Sequence, residues 1–138
     1  MTAYLDASVV VRKLQREAGS LKEWGHWGRA FSSELLRVEL LRAVDGAGLR
    51  GAFTDNEVAD IVTRERAILD GLKLLQLTPS ILNRAAQSFL TPLGTLDAMH
   101  LATTVRLAES TTIELTVLTH DAELGTAARS MSFVVEGV

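Results

Sequence analysis

A chain of 138 residues is long enough for one domain with a buried core, and 47% hydrophobic against 22% charged residues is an ordinary globular balance. The absence of cysteine excludes disulfides, thiol nucleophiles and cysteine-based zinc sites, and fits a reducing compartment. A net charge of −3 excludes a broad basic footprint that grips nucleic acid by charge alone, so a nucleic-acid enzyme of this composition needs metal ions to offset part of its own negative charge.

The start, Met1 to Asp6, has no basic stretch, and Asp6 interrupts its apolar residues, which argues against a signal peptide. No apolar run approaches the ~20 residues that cross a bilayer, so the expected location is cytoplasmic. Residues 2–6 read as a short buried strand ending on Asp6, and 8–17 as a helix. Gly19 breaks the pattern, and Ser20 is placed to cap a short helix through Trp27. That segment holds Trp24 and Trp27, read as core residues, with a half-exposed anchor for a partner as the alternative.

Residues 29–32 read as a second strand, Ser33 as the cap of a helix over 34–45, and Gly46, Gly48 and Gly51 as its end. Thr54 and Glu57 have capping-box spacing, which predicts a helix over 55–69. Asp70 and Gly71 turn the chain, and 72–77 reads as a third strand. Pro79 suits the first turn of a helix ending near Phe89, and Thr95 is the expected cap of a helix over 96–109. A buried strand over 112–119, a helix over 122–130 and a last strand over 133–135 complete the pattern. No repeat or linker divides it, so one domain over 1–138 is expected. Strands alternating with helices predict an α/β fold, a mainly parallel sheet of about four to five strands with helices on both faces.

Four acids stand out against this background. In such a sheet, ligands sit beyond the carboxyl ends of the strands, and Asp6 and Asp121 each follow a strand. Either can equally be a plain helix cap. At 100° per residue, Glu39 falls among Leu35, Leu36, Leu40 and Ala43, inside the apolar arc of its helix. Carboxylates are rarely buried without a partner, so Glu39 implies either a salt bridge, for instance to an arginine, or a metal. Asp97 faces Leu101, Val105 and Ala108, but it also lies in a first helical turn, where the dipole favours acids.

Taken together, two acids at strand ends and two acids on inward helix faces can meet at one rim of the sheet. Like charges so close would force some to hold protons unless a cation compensates. Hard oxygen donors without cysteine suit Mg²⁺ or Mn²⁺, one of whose waters can serve as a nucleophile while a second ion stabilises the leaving oxygen of a phosphodiester. His26, His100 and His120 have ordinary packing or loop readings; His100 lies one turn from Asp97, and His120, before Asp121, could also touch a phosphate. The glycines lack the Lys-Ser/Thr of a phosphate loop, and the serines lack nucleophile-elbow spacing.

The four segments that carry these acids are Tyr4-Leu5-Asp6-Ala7-Ser8, the run from Ser33 to Ala43 around Glu39, Thr95-Leu96-Asp97-Ala98-Met99-His100-Leu101-Ala102, and Leu118-Thr119-His120-Asp121-Ala122-Glu123-Leu124. In this order and spacing the chain resembles the PIN-domain proteins, specifically the VapC-type toxins of type II toxin–antitoxin pairs. The resemblance implies a three-layer α/β/α fold and a Mg²⁺- or Mn²⁺-dependent endoribonuclease hydrolysing RNA with metal-activated water. It implies Asp6 and Asp97 as principal metal ligands, Glu39 and Asp121 completing the catalytic cluster, and Ser8 and Thr119 supporting it. It also implies a homodimer and a small cognate antitoxin that blocks the site, with no membrane partner. The alternative is a non-catalytic nucleic-acid-binding or protein-interaction module on the same fold, its acids kept for structure.

Overall fold

The computed structural model describes residues 1–15, 19–22 and 24–138. Strand β1 (Thr2–Leu5) leads into helix α1 (Ala7–Leu14), and β2 (Arg29–Ser33) into α2 (Leu35–Leu49) and α3 (Asp55–Asp70). Strand β3 (Lys73–Leu75) precedes α4 (Pro79–Ala85) and α5 (Thr95–Ser110), β4 (Leu115–Leu118) precedes α6 (Ala122–Ser130), and β5 (Val134–Glu136) follows. The five strands form one sheet in the order β3-β2-β1-β4-β5, every pairing parallel.

Parallel strands need crossover connections, and those crossovers cover both faces of the sheet. Because successive strand residues point to opposite faces, β1 sends Ala3 and Leu5 into one apolar layer. There they meet Val9 and Val10 of α1, Leu36 and Leu40 of α2, and Ile61 of α3. Val117 of β4 faces the other way, into a layer with Leu101 of α5 and Leu124, Ala127 and Ala128 of α6. Tyr4, in register with Val117, also reaches α5 through His100. The result is the expected α/β/α sandwich.

The strand order positions the site. From β1 the chain moves outward to β2 and β3, then returns to β4 on the other side of β1. The crevice between β1 and β4 is therefore the switch point, where open parallel sheets bind ligands at their carboxyl ends. Asp6 follows β1 there, its N–H donating to the Leu118 carbonyl at 3.0 Å, and Thr119 follows β4.

Several boundaries differ from the sequence expectation. Helix α2 runs through Gly46 and Gly48 to Leu49 and stops at Gly51, whose φ of +71° is the conformation glycine tolerates. Packing of α2 on α3 overrides the low helix propensity of the two inner glycines. None of the described residues of the predicted helix over 21–27 is helical: Lys22, Trp24 and Gly25 lie in turns, Gly25 has φ +83°, and the tryptophan rings meet edge to face at 5.3 Å. Both tryptophans pack, partly buried, against the layer built on α1, α2 and α3. Residue 23 of that helix, and residues 16 and 17 of the first predicted helix, lie outside the described residues.

Helix α4 ends at Ala85 rather than Phe89, because Arg84 folds over the Phe89 ring at 4.3 Å and donates to the Ser88 carbonyl. Thr95 is the first helical residue of α5, not its cap; Gly94 takes the cap position without a side-chain bond. The N-cap of α2 is likewise Glu34, although Ser33 Oγ accepts from the Leu35 N–H at 3.1 Å. The capping box of α3 forms as expected, with Thr54 and Glu57 exchanging hydrogen bonds at 3.2 Å. Among the described residues no helix is long and apolar enough to cross a membrane.

Two glycine substitutions should act in opposite directions. A Cβ at Gly48 meets Val58 at an ordinary 3.6 Å, so Gly48→Ala should stabilise by about 0.5–1 kcal/mol through helix propensity. Gly137 has φ +105°, and a Cβ there would collide with the Thr119 carbonyl oxygen, so Gly137→Ala should destabilise by about 1–3 kcal/mol. Urea unfolding of the two variants reads both signs.

Candidate active site

Asp6 is the most enclosed of the four acids, 3% exposed. Its Oδ2 is fully engaged. It accepts from the Ser8 N–H at 3.2 Å, from Ser8 Oγ–H at 2.5 Å and from Thr119 Oγ1–H at 2.9 Å. Ser8 Oγ in turn accepts from the His120 N–H at 2.8 Å, and Thr119 Oγ1 from the Asp121 N–H at 2.9 Å. These bonds tie the ends of β1 and β4 together and fix the carboxyl plane. The first of them also caps α1. Capping uses Oδ2 and leaves Oδ1 turned toward His100, whose Nε2 lies 3.8 Å away.

Glu39 projects inward from α2, its side chain 16% exposed, and its Oε1 accepts from His100 Nε2–H at 2.6 Å. The short length marks a charge-assisted bond. The partner is thus a histidine on α5 rather than the arginine that sequence reasoning offered. His100 is 1% exposed, and its Nδ1 stands 3.0 Å from Tyr4 Oη. Burial alone would lower the imidazolium pKa. The Glu39 hydrogen bond and the charges of Asp6, Glu39 and Asp97 outweigh burial and leave it raised. Burial also pushes the Tyr4 phenol far above its usual range, reinforced by Asp6 and Glu39, so Tyr4 stays a proton donor.

Asp121 is the N-cap of α6, its Oδ1 accepting from the Leu124 N–H at 2.9 Å. Asp97 lies in the first turn of α5, where the helix dipole should lower its pKa. Instead its carboxyl is pushed up to about 6, first by burial and then by the charges of Asp121, Asp6 and Glu39, with His100 acting against them. The other three acids therefore lie within electrostatic reach of Asp97, although the four arrive from four different segments.

The donor set suits a hard divalent cation. All four side chains offer carboxylate oxygen, and the mutual repulsion that adds to burial in lifting Asp97 is a conflict a cation removes. Among the described residues no three His, Asp or Glu side chains form a ready-made cage. That is compatible with Mg²⁺, which binds through one or two carboxylates and keeps several waters. His120 Nδ1–H donates to the Gly137 carbonyl at 2.9 Å, and its Nε2 is buried without a hydrogen-bond partner among the described residues.

Sequence reasoning passed over His100 as a packing residue. The available signal was its spacing: three residues after Asp97 on the same helix, it shares the face that looks at the site. Its partners, Tyr4 and Glu39, are 96 and 61 residues away along the chain, and no local pattern reveals them.

Comparison with known proteins agrees with the topology. The PIN domain family model matches residues 3–129. A curated relative, Ribonuclease VapC47 from Mycobacterium tuberculosis (strain CDC 1551 / Oshkosh), is 32% identical over 139 aligned residues, spanning 95% of this chain and 93% of its own.

The electrostatics predict two opposite stability effects in the metal-free protein. Asp97 has its folded pKa raised from 3.8 to about 6, so its charged form costs stability above that pH and costs nothing once it is protonated in both states. Asp97→Asn should therefore raise the melting temperature at neutral pH by about 2–5 °C, and the gain should vanish below about pH 4. Glu39→Gln should do the reverse and destabilise by about 1–2 kcal/mol, because it weakens a charge-assisted bond to a buried ring. Thermal melts of both variants across pH test the pair.

Proposed function

Because the chain belongs to the PIN-domain family and, within it, to the VapC-type ribonucleases, we propose that it is the toxin of a type II toxin–antitoxin pair, a Mg²⁺- or Mn²⁺-dependent endoribonuclease. The observation that carries this reading is the convergence of Asp6, Glu39, Asp97 and Asp121 beside the β1/β4 switch point, where burial and then the charges of the other three acids lift the Asp97 pKa. The divalent ion, when bound, supplies compensating charge and polarises water and phosphate oxygen.

The chain's own residues do the positioning. Asp6 and Asp97 are the principal ligands. Ser8 and Thr119 fix Asp6 through Oδ2, so that Oδ1 is the oxygen left to the ion. Asp121 has committed Oδ1 to its helix and keeps Oδ2. Glu39 keeps Oε2, since His100 occupies Oε1. With net charge −3, binding of RNA leans on the ion and on local cations such as Arg12 and Arg42, which flank the groove beside Glu39.

That groove supports the partner reading. It encloses about 550 Å³ between α1 and α2, lined by Ala7, Val11, Leu35, Val38 and Leu96 and reaching Ser8 and Glu39. Val38 and Leu96 are 58% and 48% exposed, an apolar strip suited to a segment of a small antitoxin that would shut the active site as it docks. The toxin acts as a homodimer on cytoplasmic RNA.

The decisive variant is Asp6→Asn, which keeps an acceptor for the Ser8 N–H and so preserves the α1 cap. It should leave the fold intact, lower RNA cleavage by about 100-fold or more, and remove the rise in melting temperature that millimolar Mn²⁺ gives the unmodified protein. Full cleavage by Asp6→Asn and by Asp97→Asn would sink the assignment and leave a non-catalytic module on the same fold.

A further inference from the structure

The hydrogen-bond chain Tyr4–His100–Glu39 joins three of the elements that carry the acids. Tyr4 lies on β1 two residues before Asp6 and on the same face, Glu39 lies on α2, and His100 lies on α5 one turn after Asp97. A buried histidine needs partners for both ring nitrogens, but a merely packed one can take them from any neighbour. Here Nε2–H donates to a candidate ligand, and Nδ1 is engaged by Tyr4 Oη at 3.0 Å. The same Nε2 stands 3.8 Å from Asp6 Oδ1.

We propose that His100 is a positioning residue of the acidic site: anchored by Tyr4, it holds the Glu39 carboxylate by one oxygen and presents the other to the divalent ion. The proposal rests on the metal-dependent reading given above. Glu39 sits on a flexible side chain at the edge of the cleft, and without a partner it would sample several rotamers. The bond at 2.6 Å removes that freedom and limits Glu39 to a single oxygen toward the ion. Carboxylate ligands are commonly oriented by such outer partners.

The test is calorimetric titration of the full chain with MnCl₂, alongside metal-free melts, for the unmodified protein, His100→Phe, His100→Gln, Tyr4→Phe, and Glu39→Gln with and without His100→Phe. His100→Phe keeps the volume and loses both ring nitrogens, and should weaken Mn²⁺ binding roughly 10–100-fold. His100→Gln, which carries an amide N–H toward Glu39, should recover most of that loss. In the Glu39→Gln background, His100→Phe should add less than about threefold, because the path through Glu39 is already cut. Tyr4→Phe should weaken binding about threefold or more while keeping the ring.

Unchanged Mn²⁺ affinity in His100→Phe overturns the proposal, as does an equal loss in the Glu39→Gln background, which would assign the effect to packing alone. Should His100→Phe fail to fold, unmodified affinity in Tyr4→Phe overturns the anchoring step. If the unmodified protein binds no Mn²⁺, the metal-dependent reading falls and takes the role of His100 with it. Normal binding in the unmodified protein that His100→Phe leaves untouched removes the role of His100 alone.

Discussion

The interaction on which the rest depends is repulsion among carboxylates held at one rim of a parallel sheet. Asp97 reports it most directly. A helix N-terminus favours the charged form of an acid, yet burial and three neighbouring acids reverse that preference and lift its pKa to about 6. The fold does not relieve the crowding by spreading the acids apart. Hydrogen bonds hold Asp6 and Asp121 at the ends of β1 and β4, and the apolar faces of α2 and α5 hold Glu39 and Asp97 against the same crevice. Stability is set against charge density at the place where the topology puts ligand chemistry.

Capping and site formation are not alternatives in this molecule. A carboxylate has two oxygens, and a helix N-terminus needs only one of them. Asp6 caps α1 through Oδ2, and Asp121 caps α6 through Oδ1. Each cap fixes the side chain rotamer and so aims the other oxygen. The backbone at the strand-to-helix corner thereby does work that a surface carboxylate would need extra partners to match. The Ser8 and Thr119 hydroxyls extend the arrangement, since each contacts Asp6 and also accepts a backbone N–H from the β4 corner. One small network therefore serves helix initiation, strand-end alignment and ligand orientation.

Local chemistry made much of this legible in the sequence. The Thr54/Glu57 box set the start of α3, the run from Ala122 to Ser130 gave α6 its observed bounds, and the acids at strand ends pointed to the rim. What local pattern could not carry was decided by tertiary contacts. Gly46 and Gly48 read as a helix end but stay helical because α2 lies against α3. The tryptophan segment read as a helix capped by Ser20, yet in its described residues Gly25 takes a positive φ and the two rings pair instead. The strand order, which turns the β1/β4 crevice into a switch point, follows from crossovers that periodicity does not record. The Glu39 partner was misjudged for the same reason: proximity between α2 and α5 is a property of the sheet, not of either helix.

The identity of that partner matters for chemistry. An arginine beside Glu39 would carry a permanent charge and a planar fork matched to both carboxylate oxygens. It would neutralise the acid and close it to any further cation. An imidazole presents one N–H from Nε2, and the second ring nitrogen is turned away toward Tyr4. It therefore engages one oxygen, orients the carboxylate and leaves the second oxygen unclaimed. It also sits near Asp6 Oδ1 without reaching hydrogen-bond distance, so it damps repulsion there without capturing the oxygen. A buried histidine in this place therefore fixes the direction of the Glu39 carboxylate without closing it, which is what the proposed metal site asks of that acid.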